Sequence, residues 1–113
     1  MPRSKSYQET LIASLKDPME AQEYLNAALE DDAPEVFLLA LRDVAEAQLG
    51  SVSQLAELAQ LNREHLYRVL SKQGNPAFSS LHAILSSLGF RLKVEPQPAH
   101  PSLKITSTKN SVD

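Results

Sequence analysis

The sequence predicts a mainly α fold, a bundle of five to six helices that ends in a single β-strand. Three observations carry this reading. Apolar residues recur at helical spacing from Tyr7 to Leu88, the pattern of helices that each bury one stripe. Two short helical segments, Ser53–Ala59 and the run that opens at Asn62, are joined by a turn of only about three residues, Gln60-Leu61-Asn62. After Gly89 the period changes to two: Phe90, Leu92 and Val94 alternate with Arg91, Lys93 and Glu95. That is the mark of a strand with one buried face.

The elements follow in order. Residues 1–6 read as a flexible arm. Tyr7, Leu11, Ile12 and Leu15 then make a short first helix. Asp17-Pro18 starts a second, with the carboxylate as N-cap and proline at the first position, where its missing N–H is harmless. Ala21, Tyr24, Leu25, Ala28 and Leu29 give it a narrow stripe to about Asp31. Pro34 opens a third helix, favoured by Asp31, Asp32 and Glu35 at the positive end of its dipole, and Gly50 ends it. Its wide apolar face (Phe37, Leu38, Ala40, Leu41, Val44, Ala45, Leu49) makes it the central buried helix. Gly74-Asn75-Pro76 is a turn, and a last helix from about Ser79 to Leu88 points Leu81, Ile84, Leu85 and Leu88 inward. Pro96, Pro98 and Pro101 break the strand, and residues 96–113 are too polar to fold, so they read as a disordered tail. The folded domain is residues 7–95, with the short helix pair at about 53–72 and the strand at about 90–95.

Composition narrows the function. At 113 residues there is room for one domain and its tails. No cysteine is present, which removes disulfides, thiolate chemistry and Cys-based metal sites. No apolar run approaches a membrane span, and Met-Pro-Arg-Ser-Lys-Ser at the start lacks the apolar core of a signal peptide. The expectation is a cytoplasmic protein. His65, His82 and His100 are scattered without metal-ligand spacing, no serine sits in a Gly-x-Ser-x-Gly elbow, and there is no glycine-rich phosphate loop. Neither an enzyme nor a bound metal or cofactor is expected.

The helix pair is the informative part. At about 100° per residue, Leu66, Val69 and Leu70 share one face of the second helix. Glu64, Arg68 and Ser71 fall opposite, Arg63 and Tyr67 on one flank, His65 and Lys72 on the other. Asn62 is a good N-cap, and Ala56 is small where the helices would cross. This is the layout of a helix-turn-helix, whose second helix enters the major groove of DNA. An ordinary helical hairpin has the same spacing. The turn of a helix-turn-helix usually carries Gly where this chain has Gln60, a strain of roughly 1 kcal/mol if φ is positive there.

On the DNA reading, Arg68 is the best candidate for guanine O6 and N7. Arg63 sits at a helix start that disfavours a cation, which fits a phosphate or guanine contact. Glu64 either complements the helix dipole or accepts from cytosine. Tyr67 either packs at the domain rim or touches the DNA backbone, and Lys72 meets phosphate. Ser51 and Ser53 are phosphate donors, or Ser53 is simply an N-cap. The net charge of −3 taken alone argues against DNA, but its distribution does not. Residues 1–50 hold ten acids against four bases; residues 51–113 hold seven bases against four acids. Fields fade over a Debye length of about 8 Å at physiological salt, so the local basic face decides.

The lone strand needs partners from another molecule, because nothing else in the chain reads as a strand. Pairing of Phe90, Leu92 and Val94 with a second copy across a two-fold axis is the simplest solution. A strand added to a different protein and an unpaired extended tail are the alternatives. A homodimer would present two recognition helices to one face of DNA.

Several stretches together resemble the probable addiction-module antidote proteins, an Xre-like branch of bacterial antitoxins related to HigA. They are Leu15-Lys-Asp-Pro-Met-Glu-Ala-Gln-Glu-Tyr-Leu-Asn-Ala-Ala-Leu29, the Pro34-to-Gly50 helix, Asn62-Arg-Glu-His-Leu-Tyr-Arg-Val-Leu70, Gly74-Asn75-Pro76-Ala-Phe78 and Leu88-Gly-Phe-Arg-Leu-Lys-Val94. The resemblance runs over roughly residues 7–96. It implies an Xre/lambda-repressor-like helix-turn-helix with a dimerising strand. It also implies an antitoxin that neutralises a cognate RelE/HigB-like toxin, an mRNA-cleaving ribonuclease, and binds operator DNA as a dimer to repress its own operon. Base-reading positions would fall on Arg63, Glu64 and Arg68. A basic toxin would suit the acidic first half, with Glu20 and Glu23 supplying charge and Tyr24 and Leu25 apolar anchors. The alternative is a stand-alone helix-turn-helix repressor without a toxin partner.

Overall fold

The computed structural model describes the backbone of residues 2–98 and the side chains of residues 7–98. The described residues form six helices: α1 (Pro2–Ser14), α2 (Pro18–Leu29), α3 (Pro34–Leu49), α4 (Val52–Ala59), α5 (Arg63–Val69) and α6 (Phe78–Ser87). Residues 2–6, expected as a loose arm, are the opening turns of α1. Most of the expected tail lies outside the described residues.

The helix starts obey local chemistry. The Asp17 carboxylate accepts from the Met19 N–H at 3.0 Å, with Pro18 first in α2. Ala33 offers α3 no side-chain cap, and Asp31 instead accepts the Ala33 N–H at 2.9 Å, shaping the entry to Pro34. The cap of α4 is Ser51, whose hydroxyl accepts from the Gln54 N–H at 3.1 Å. Ser53, the expected cap, sits inside the first turn, because Val52 is already helical and buries its side chain. Asn62 caps α5 as expected, accepting from the His65 N–H at 2.8 Å.

α3 is the central element. It packs against α1, α2 and α4, while α4 also packs against α5 and α6. Leu41, Val44 and Ala45 of α3 are fully buried with Leu55 of α4, Leu66 and Leu70 around α5 and Ile84 of α6. Ala56, at the α4–α5 crossing, is buried too. No polar or charged residue among the described ones is buried. At the rim of this core the Tyr24 hydroxyl donates to Asp43 at 2.7 Å and ties α2 to α3. Gln48 donates to the Leu15 carbonyl at 2.8 Å and holds the end of α1.

The expected β-strand is a correction. Among the described residues there is no strand, and residues 90–97 carry no regular secondary structure. A strand exists only through a ladder to a neighbour, and every other element among the described residues is a helix. The Phe90 N–H donates to the Leu85 carbonyl at 2.8 Å and closes α6, and the Phe90 ring packs against the core. Beyond it the apolar side chains emerge: Leu92 is 39% and Val94 is 94% exposed.

Two backbone positions fix the short connections. Gln60 is left-handed at φ 58°, and the Leu61 N–H reaches back to the Ala56 carbonyl at 2.9 Å. That is the geometry in which glycine usually ends a helix. Gly74 lies so close to the end of α5 that a Cβ there would stand 1.8 Å from the Val69 carbonyl oxygen.

Gln60→Gly should therefore stabilise the protein by about 0.5–1 kcal/mol in chemical denaturation, since the left-handed strain exceeds glycine's entropic cost. Gly74→Ala should destabilise it by about 1–3 kcal/mol, because a backbone carbonyl cannot swing away as a side chain can.

Burial, then the hydrogen bond to Asp43 and its negative charge, then Tyr7, push the Tyr24 hydroxyl above the ordinary tyrosine value. The neutral phenol is thus favoured in the folded state. Its contribution is full below about pH 10, where the unfolded tyrosine begins to ionise, and is lost as pH rises from there through the raised folded value. Tyr24→Phe should lower stability by about 1 kcal/mol at neutral pH and flatten the decline above about pH 10. Urea titrations at neutral and alkaline pH measure both.

Candidate nucleic-acid interface

α5 divides cleanly into two faces. Leu66 and Val69, with Leu70 just after the helix, are buried, while Arg63, Glu64, His65, Tyr67 and Arg68 are exposed. The apolar spacing of the sequence is enough to produce this division. The helix cannot rotate without drawing Leu66 out of the core.

Its direction is fixed at both ends. The left-handed Gln60 and the Asn62 cap set the entry. At the exit the Ser71 hydroxyl donates to the Arg68 carbonyl at 2.6 Å. This occupies Ser71, which the helical arithmetic placed on the open face beside Arg68. α5 ends at Val69, shorter than the spacing implied, so Lys72 stands exposed on the turn that follows.

Arg63 and Arg68 project from the exposed side of α5, and none of the hydrogen bonds of the described residues uses their side-chain heads. Glu64 lies in the first turn, where a carboxylate complements the dipole. Tyr67, 39% exposed, has the Arg42 guanidinium of α3 5.8 Å from its ring centroid. Such an exposed pair contributes about 0.5–1 kcal/mol and holds the ring at the domain rim. Ser53 is half-buried in the first turn of α4, and Ser51 is used as the cap.

Three features were not found from the sequence. Arg42 is distant in sequence from Tyr67, and no motif couples them. A cleft of about 190 Å³ at the end of α5 brings Gln73 and Asn75 beside His65 and Arg68, a grouping made by the tight Gly74 turn. An apolar groove surrounds the exposed Leu29, whose neighbours come from four separate segments.

The residues expected at the other sites are dispersed. Glu20 and Glu23 are exposed on α2. Leu25 is buried, and Tyr24 is half-buried with its hydroxyl on Asp43. The apolar stripe of α2 is thus largely spent inside the domain. Phe90 packs on the core while Leu92 and Val94 face outward. No helix among the described residues is long and apolar enough to cross a membrane.

Comparison with known proteins adds what geometry alone does not. The chain is 40% identical over 76 residues to a Haemophilus influenzae (strain ATCC 51907 / DSM 11121 / KW20 / Rd) protein named "Uncharacterized protein", a match covering 67% of this chain and 76% of that relative. No solved structure matches it. A family model described as "Probable addiction module antidote protein" matches residues 7–96, from the first described side chain into the irregular segment after α6. The chain belongs to the family of probable addiction module antidote proteins.

Proposed function

We propose that the protein is the antitoxin of a toxin–antitoxin pair, neutralising a RelE/HigB-like ribonuclease and repressing its own operon as a DNA-bound homodimer. The observation that carries the DNA half is the open face of α5. It presents Arg63, Glu64 and Arg68 from a rigidly set short helix after a three-residue turn. That arrangement supports an Xre-type helix-turn-helix, with α5 as the helix in the major groove. Arg68 reads guanine, Arg63 reads guanine or phosphate, and Glu64 accepts from cytosine. Lys72, Tyr67 and Ser53 lie where the backbone would pass. Family membership supports the toxin half. The operator and the toxin's messenger RNA both place this work in the cytoplasm.

The toxin surface belongs to α2. Glu20 and Glu23 offer negative charge to a basic RNA-cutting protein, and the neighbouring Met19, 62% exposed, offers apolar area. Tyr24 and Leu25 support that surface from beneath. The dimer rests on the segment after α6, where Leu92 and Val94 are exposed and the backbone lacks a ladder partner.

Arg63→Ala and Arg68→Ala should each weaken binding to the DNA upstream of the protein's own gene by about 1–3 kcal/mol and relax preference at particular base pairs. Lys72→Ala should weaken all sequences alike and shallow the salt dependence. Fluorescence anisotropy over a salt series measures both. Unchanged affinity in a folded Arg63/Arg68 double variant would sink the assignment of α5.

Neutralisation should be separable from repression. Glu20→Lys with Glu23→Lys should slow toxin capture by about tenfold at low salt and much less at high salt, because exposed charges act mainly on association. The Arg63/Arg68 double variant should still rescue growth of cells expressing the toxin. Stopped-flow association rates and a rescue assay decide it; a salt-independent loss in the α2 variant moves the toxin contact elsewhere.

A further inference from the structure

We propose that the apolar groove around Leu29 is the seat of a second copy of this chain, which lays its own post-α6 segment into it. This deepens the homodimer reading above and rests on it. The groove consists of two hollows that share Leu29 and Phe37. One, of about 300 Å³, lies between α2 and the segment after α6, over Leu25 and Leu85. The other, of about 360 Å³, lies between the α2–α3 turn and the Gly74–Pro76 turn, over Ala28, Leu38 and Leu81.

Charge selects the occupant. The first hollow carries Arg91 and Lys93, the second Asp31 and Asp32. A surface that is positive at one end, apolar between and negative at the other is its own complement after a half-turn. A two-fold interface needs that property, since the same patch must serve on both sides. A partner of uniformly basic or acidic character would be repelled at one end.

The apolar contents agree. Leu29, 55% exposed, and Leu92, 39% exposed, line the first hollow, and Val94, 94% exposed, follows Leu92 two residues along the chain. In the dimer the partner's Leu92 and Val94 cover Leu29 and Phe37, and the partner's Arg91 faces Asp32. The segment that lacks a ladder in one chain gains a neighbour in two. Asp31 is held to the Ala33 N–H, which leaves Asp32 as the acid to test.

Sedimentation equilibrium of the full chain tests this with a charge exchange. Asp32→Lys and Arg91→Glu should each raise the dimer dissociation constant by about tenfold, and the two combined should recover most of the loss. Circular dichroism checks that each variant is folded. Because the chain has no cysteine, an oxidised mixture of Leu29→Cys and Val94→Cys proteins should also give a cross-link joining one chain of each. A wild-type dimer that ignores both charge changes and yields no mixed cross-link overturns the groove while the dimer reading stands. A wild type that sediments as a monomer overturns both.

Discussion

α3 must bury an unusually wide face, and the rest of the molecule is arranged to satisfy that demand. Phe37, Leu38, Ala40, Leu41, Val44, Ala45 and Ala47 are all buried, which uses far more than the single stripe a surface helix hides. Three helices pack against it, and α4 passes the burial on to α5 and α6. The small residues Ala40, Ala45 and Ala56 let backbones approach without voids. With fully buried Leu side chains each worth a few kcal/mol against cavity formation, as truncation series of buried leucines indicate, the orientation of α5 is inherited from α3 through α4.

Much of this was legible in the residues. The caps at Asp17 and Asn62, the prolines at 18 and 34 and the stop at Gly50 acted as local signals, and each is realised in the structure. These are interactions of a side chain with its own helix end, so no tertiary knowledge was needed. The exposed face of α5 followed from the spacing of Leu66 and Val69 for the same reason. Ser51 and Ser53 could not be separated, because both can cap and only the burial of Val52 decides between them.

What stayed hidden is non-local. The alternation from Phe90 to Glu95 reads as a strand, yet strand formation is a property of a pair of segments and cannot be supplied by one. The Arg42–Tyr67 pair and the groove around Leu29 join segments far apart in the chain. The apolar stripe of α2 gave no means of telling Leu25, which is buried, from Leu29, which is not.

Among the described residues the core is free of polar groups. An apolar interior tolerates volume-conserving exchanges, and it shares no hydrogen bond with the exposed heads of Arg63, Arg68, Glu20 or Glu23. Substitutions at those positions therefore draw little on the stability of the domain. Such exposed positions can vary between descendants while the scaffold stays intact. Tyr67 is the exception: its ring is engaged by Arg42, so a change there is felt by the fold and the surface together.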